Sequence, residues 1–431
     1  MLATFASGAV GFAADADTEQ RLKQLEQQNQ ALQERLKQQQ TLINDLAQKL
    51  SKVEDKTSAA VPIEPEAASS SKGFGFGQVR ISGEGGVGVF HTSKDGQYYN
   101  SPFRVDEAKL FVEAPLWKNY VFAYGELDLL TRERQVAGPA DDAFHLGELY
   151  VDFEGLSRLW DHPGMLGMRV GRIDIPFGEE YISRDVIDNP LISHSLTDFW
   201  GVDEGIEFYG GVGKFDYVVA VQNGGHPALA DFDRDKSVAG RLGWRPAKWL
   251  RFSASAMRTG DLSAANDKMS ELWFANGFIR AVDFSATKYG AQVYEGDAQA
   301  SWNSGHFKAA GGYLKYTDNA PIAANTDRDL YYYYAEVLQR APDLSKLYGA
   351  ARFSQIFVKD GFPIVGHGDF GNYFFNPGAM TDRMWRLSAG AGYEFSERLK
   401  IKLEYTLERR HELASESENL HFFAAEVAFG F

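Results

Sequence analysis

The chain has 431 residues, no cysteine, 43 glycines, 14% aromatic residues and a formal net charge of −15. The missing cysteines exclude disulfides, thiolate metal sites and thiol nucleophiles together, and the acidic balance argues against nucleic acid as a partner. No run of 18 apolar residues occurs, which excludes a helical membrane span; a transmembrane barrel stays open, because its lipid face takes only every second position.

Residues 1–16 (MLATFASGAVGFAADA) read as a truncated signal peptide: small and apolar, with a cleavage point near Ala13 or Ala14, and without the usual basic start. Residues 17–55 carry a heptad pattern. Leu22, Asn29, Leu36, Ile43 and Leu50 recur every seven residues, with Leu25, Leu32, Gln39, Leu46 and Val53 three residues behind them. A single helix with so narrow an apolar seam buries nothing alone, so the segment predicts a self-associating α-helical coiled coil; Asn29 and Gln39 would weaken it and fix its register. A solvated, glutamine-rich single helix is the plainer alternative. Residues 56–72, rich in Ala, Ser and Pro, read as a flexible linker.

From residue 73 to Phe431 the pattern changes to period two. Trp385, Leu387, Ala389, Ala391, Tyr393 and Phe395 share one strand face. Leu399, Ile401, Leu403, Tyr405 and Leu407 alternate with Lys400, Lys402, Glu404, Thr406 and Glu408, and counting back by twos from the end gives Phe431, Phe429, Val427, Ala425 and Phe423. Alternation over about ten residues, repeated strand after strand, predicts a barrel with one face to lipid and one to a polar lumen. Sixteen such segments fit between 77–91 and 418–431. Tight links such as Gly211–Lys214, Asn303–Gly305 and Ser396–Arg398 alternate with long ones such as 176–203, 259–288 and 359–382. The predicted fold is therefore all-β: a 16-stranded antiparallel transmembrane β-barrel preceded by an N-terminal coiled coil, which lies in the periplasm.

Charged residues opposite the apolar face are the candidates for the pore lining, where permeation selectivity is set. They include Glu84, Glu107, Lys109, Glu126, Asp128, Glu148, Asp152, Arg169, Arg172, Arg352, Arg386, Glu394, Lys400, Lys402, Glu404, Glu408 and Glu426. The 176–203 loop adds Glu179, Glu180, Arg184 and Asp185, and would make the constriction acidic if it folds inward. The 259–288 loop, with Leu272, Trp273 and Phe278, is a rival plug. The Tyr331–Tyr334 run suggests an aromatic girdle. No HExxH, GxSxG or GxxxxGK[ST] motif is present, so no catalysis, metal or cofactor is expected.

Three pieces resemble one family: Leu166–Gly178 (LGMRVGRIDIPFG) with the long loop and Gly-rich strand after it, Phe103–Glu113 (FRVDEAKLFVE), and Gly125–Asp128 (GELD). They are similar to the phosphate-selective porin O/P family. The resemblance implies a 16-stranded homotrimeric porin with a constricting loop in each pore; some members carry an N-terminal coiled coil. Asp106 and Glu107 stand where the family's anion-selective members carry basic residues, so phosphate selectivity is not carried over. The reading is an outer-membrane porin, in contact with membrane lipid, passing small polar or charged solutes. The alternative is a structural barrel tethered toward the cell wall by its coil, with peptidoglycan as a candidate partner near the coil.

Overall fold

The computed structural model describes residues 74–130 (save 77, 95, 97 and 119), 145–224, 234–264, 272–274, 277–279, 285–320, 328–358, 364–365, 375–376, 379–412 and 418–431. The predicted signal peptide, coiled coil (Leu22, Leu25, Asn29, Leu32, Leu36, Ile43, Leu46, Leu50) and linker lie outside these residues.

Sixteen antiparallel strands form a closed barrel. In chain order they are β1 (Val79–Thr92), β2 (Phe103–Trp117), β3 (Val121–Leu130), β4 (His145–Phe153), β5 (Gly167–Asp174), β6 (Phe199–Val212), β7 (Phe215–Gln222) and β8 (Ser237–Ala247). There follow β9 (Leu250–Arg258), β10 (Lys288–Trp302), β11 (Gly305–Asp318), β12 (Arg328–Arg340), β13 (Leu347–Val358), β14 (Ala379–Ser396), β15 (Leu399–Glu412) and β16 (Glu418–Gly430). Each strand pairs with its sequence neighbours, and β1 closes on β16 with Glu84 opposite Gly430 and Val89 opposite Ala425. Closure satisfies the backbone groups that a sheet edge would leave bare in lipid. At the seam the ring of Phe431 lies so close to Gly83 that a Cβ there would sit 2.7 Å from it, so this position has room only for glycine.

Burial is inverted relative to a soluble β protein. On β15, Ile401, Leu403 and Tyr405 are exposed while Lys402, Glu404, Thr406, Glu408 and Arg410 are buried. The apolar set faces outward and the polar set inward, as a lipid-embedded barrel requires. Outward aromatics gather at two levels. Trp117, Trp249, Trp302 and Phe395 are exposed at or beside the short turns, and Tyr294, Tyr331 and Tyr333 are exposed toward the other rim. Trp302 and Tyr294 both lie on β10, about 27 Å apart along a tilted strand at ~3.4 Å per residue, of the order of the ~25 Å apolar band. The tyrosine run is split by the strand's alternation. Tyr331 and Tyr333 face out, but Tyr332 and Tyr334 are buried, so only half of it serves a girdle.

Connections alternate between the rims. Links 213–214, 248–249, 303–304 and 397–398 are two-residue turns, and 154–166 on the same rim carries a 3₁₀ turn at Leu156–Trp160. The opposite rim carries the links between β5 and β6, β9 and β10, and β13 and β14. There, Leu272–Phe274 pairs with the start of β6, and Gly277–Ile279 pairs with Ile364–Val365. The described part of the 259–288 loop thus forms small sheets with its neighbours. The link between β5 and β6 ends five residues earlier than the alternation predicts, because β6 begins at Phe199.

Candidate pore constriction

The loop between β5 and β6, residues 175–198, is held by side chains from almost every part of the lumen wall. Pro176 has no N–H to continue the ladder, and Gly178 turns the chain at φ +72°, a conformation that disfavours other residues. The Gly178 N–H donates to Ser255 Oγ at 3.0 Å, and its carbonyl accepts from Arg241 at 2.6 Å. The two feet of the loop meet where Phe177 packs on Phe199, ring centroids 4.6 Å apart.

The second half of the loop lies flat on β13–β15. Glu404 accepts from the backbone N–H groups of Ile192 (2.5 Å) and Ser193 (2.8 Å), and from the Ser193 hydroxyl. Arg352 donates to Ser193 O at 2.8 Å while paired with Glu336. Arg386 donates to His194 O at 2.7 Å while paired with Glu408 at 2.7 Å. Lys402 donates to Val186 O (2.9 Å) and Leu191 O (3.0 Å), and pairs with Glu426 at 2.7 Å. Lys400 donates to Ile187 O at 2.7 Å. A loop brought into the lumen carries backbone carbonyls that need donors, and this basic wall supplies them.

Arg352, Arg386 and Lys402 are each at most 5% exposed and lie beneath the loop. Arg172 is likewise buried, bonded to the carbonyls of Leu146 and Gly147 and to Glu204. Period-two alternation separates lumen from lipid, but it does not show which lumen residues the loop covers.

At Asp185 the loop meets the β2–β5 wall. Asp185, 32% exposed at its side chain, bonds Lys109 Nζ at 2.6 Å. Lys109 also lies 3.1 Å from Glu107 and 3.7 Å from Glu126. Arg169 pairs with Asp152 and Glu207, each at 3.0 Å, and lies over the rings of Tyr150 and Tyr209. Glu148 accepts from the Asp174 N–H at 3.1 Å. Asp128 is partly buried on the same wall. On the loop itself, Glu179 binds Arg251 at 2.8 Å, and Arg184 binds Asp198 at 2.8 Å with its guanidinium 4.0 Å above Trp200. Glu180 accepts from Ser195 Oγ at 2.6 Å; burial, and then the nearby Asp198 charge, push its carboxyl up to about 7. Carboxylates outnumber cations on both sides of this space. A cavity of about 80 Å³ lies between the loop and β9–β12, lined by Glu179, Ser183, Arg251 and Lys308. Another of about 240 Å³ lies toward the short-turn rim, lined by Asp188, His306, Arg340 and Glu394.

One signal was hidden in the sequence. Asp106 and Glu107 are adjacent and should point to opposite faces of a strand. A bulge sets Gly86 opposite Glu107 and Val87 opposite Val105, leaving Asp106 as the extra residue, so that it interacts with the lumen-facing Glu426. Lys308, whose ammonium donates to Ser183 Oγ at 2.8 Å, was not anticipated either.

Neither a family model nor a curated protein matches the sequence. Solved structures do. The outer membrane channel DcaP of Acinetobacter baumannii superposes with a TM-score of 0.53 at 11% identity, covering 83% of this chain and 99% of its own. An anion-selective porin from Comamonas acidovorans gives 0.50 at 10% identity, covering 82% and 99%. The outer membrane protein OmpT of Vibrio cholerae, in its trimer form, gives 0.51 at 9% identity, covering 82% and 99%. The chain has the fold of an outer-membrane porin. At these identities the likeness concerns architecture alone, so the selectivity of this barrel has to come from its own side chains.

Proposed function

We propose that the chain is an outer-membrane porin of the O/P-like layout, a homotrimer whose water-filled channels pass small polar and charged solutes by passive diffusion, cations ahead of anions. The observation that carries this reading is how the lumen charges are divided. The basic residues of β13–β15 are bound to the carbonyls of the inward loop, while the facing β2–β5 wall presents Glu107, Glu126, Asp128, Glu148 and Asp152 around Lys109 and Arg169. Fixed charges of one sign at a constriction raise the local concentration of the opposite sign. The anion selectivity named for the Comamonas protein is not carried over, since the basic side chains are covered here.

Swelling of liposomes reconstituted with the full chain tests this. Cationic solutes should enter faster than neutral ones of equal size, and anionic ones slowest. Equal rates, or anions first, would overturn the acidic constriction. Impermeability of correctly folded protein to all three would leave the tethered structural barrel as the better reading.

A further inference from the structure

We infer that the lumen wall where β1 and β2 meet the inward loop binds a divalent cation, with Glu84, Glu107 and Asp185 as its carboxylate ligands. One oxygen from each of the three lies within 4.8 Å of the others. That spacing suits oxygen ligands arranged about a Ca²⁺ ion at ~2.3–2.6 Å. The independent observation is Glu84. It is 3% exposed, and among the described residues neither of its carboxylate oxygens has a hydrogen-bond partner. A buried, unsatisfied carboxylate is costly unless something compensates it.

Lys109 does not fill that role. It stands opposite Glu84 in the strand register, yet its ammonium is turned to Asp185 at 2.6 Å and Glu107 at 3.1 Å, with Glu126 at 3.7 Å. One ammonium therefore serves Glu107, Asp185 and Glu126, and Glu84 is left over. A divalent ion beside Lys109 would satisfy Glu84 and bridge wall to loop. The partial exposure of Asp185 gives the ion an entry path from the lumen. All-carboxylate donors on a wall and a loop favour Ca²⁺ over Mg²⁺, which demands a stricter octahedron.

The test is isothermal titration of the folded, detergent-solubilised full chain with CaCl₂, then with MgCl₂. One Ca²⁺ per chain should bind, with a Kd on the order of 10⁻⁴–10⁻³ M and tighter than Mg²⁺. Glu84→Gln should weaken Ca²⁺ binding at least about tenfold, because one of the carboxylates that hold the ion is lost; Asp185→Asn, which leaves the barrel ladder untouched, should do the same. Glu394→Gln, at the short-turn rim, should bind as the parent does. Heat-shifted mobility on unboiled gels shows that each variant is folded. Absence of saturable binding by the parent chain, or binding unaltered by both Glu84→Gln and Asp185→Asn, overturns the site. The readout is binding, so its failure is separable from any failure of the proposed transport.

Discussion

Replacing Glu404 by leucine should free the inward loop from the wall. Four groups converge on this carboxylate: the Ile192 and Ser193 N–H groups and the hydroxyls of Ser193 and Thr406. Leucine fills a similar volume but accepts nothing, so two buried backbone donors lose their partner. At about 1–3 kcal/mol for each unsatisfied donor, the docked loop loses about 2–6 kcal/mol. Glutamine should be mild by contrast. Its carbonyl oxygen can keep both backbone bonds, and the two hydroxyls can rotate to accept from its NH₂. Because the chain has no cysteine, a single cysteine replacing the buried Ile192 (2% exposed) reports docking through its labelling rate with an aqueous thiol reagent. If labelling follows the undocked population, a loss of about 2–6 kcal/mol speeds it by ~30-fold or more at ~1.4 kcal/mol per decade. The Glu404→Gln background should label like the parent. Labelling in the Glu404→Leu background within about threefold of the parent, in a barrel still heat-modifiable, would refute the argument at the level of its hydrogen-bond energies.

Other consequences follow from the same geometry. Leu403→Arg places a charge on the outward face of β15, and should lower the stability of the folded barrel in lipid by about 2–4 kcal/mol if the position is near mid-bilayer, read from urea unfolding in vesicles. Gly178→Ala forces a side chain into a backbone at φ +72° with Glu295 Oε1 only 2.6 Å from the new Cβ. A cost of at least about 1–2 kcal/mol is expected, seen as a lower unfolding midpoint. Glu180, pushed up from 4.5 to about 7 by burial and then by Asp198, ionises in the folded protein as pH rises through about 7. The preference for cations should therefore increase between about pH 6 and 8, and Glu180→Gln should remove that step. Between pH 4.5 and about 7 the folded state binds the extra proton, so this group's contribution to stability falls as pH rises through that window.

Much of the barrel was legible because its physics is periodic. Lipid on one side and water on the other force alternation, and Leu399–Leu407 against Lys400–Glu408 already separates the two faces that burial then shows. Turn lengths likewise give the rims. The division of labour among the lumen charges was not legible. Lys109, Arg352, Arg386 and Lys402 look alike in a strand pattern, and differ only in whether loop carbonyls lie above them. That depends on contacts such as Arg352 to Ser193, 159 residues apart, which no local period encodes. The inward turning of both Asp106 and Glu107 was hidden for a related reason, since the bulge that produces it arises in the pairing of β1 with β2. The start of β6 was missed because Phe199 and Gly201 to Asp203 are buried and Trp200 is half-buried, so the stretch lacks the alternation that marks the other strands.

The most direct test of the acidic constriction is the reversal potential of single channels of the full chain in a planar bilayer under a KCl gradient. The arrangement of Glu107, Glu126 and Asp185 around Lys109 predicts stepwise conductance with a potential of the sign set by K⁺ permeation. A potential of the opposite sign, set by Cl⁻, would contradict it.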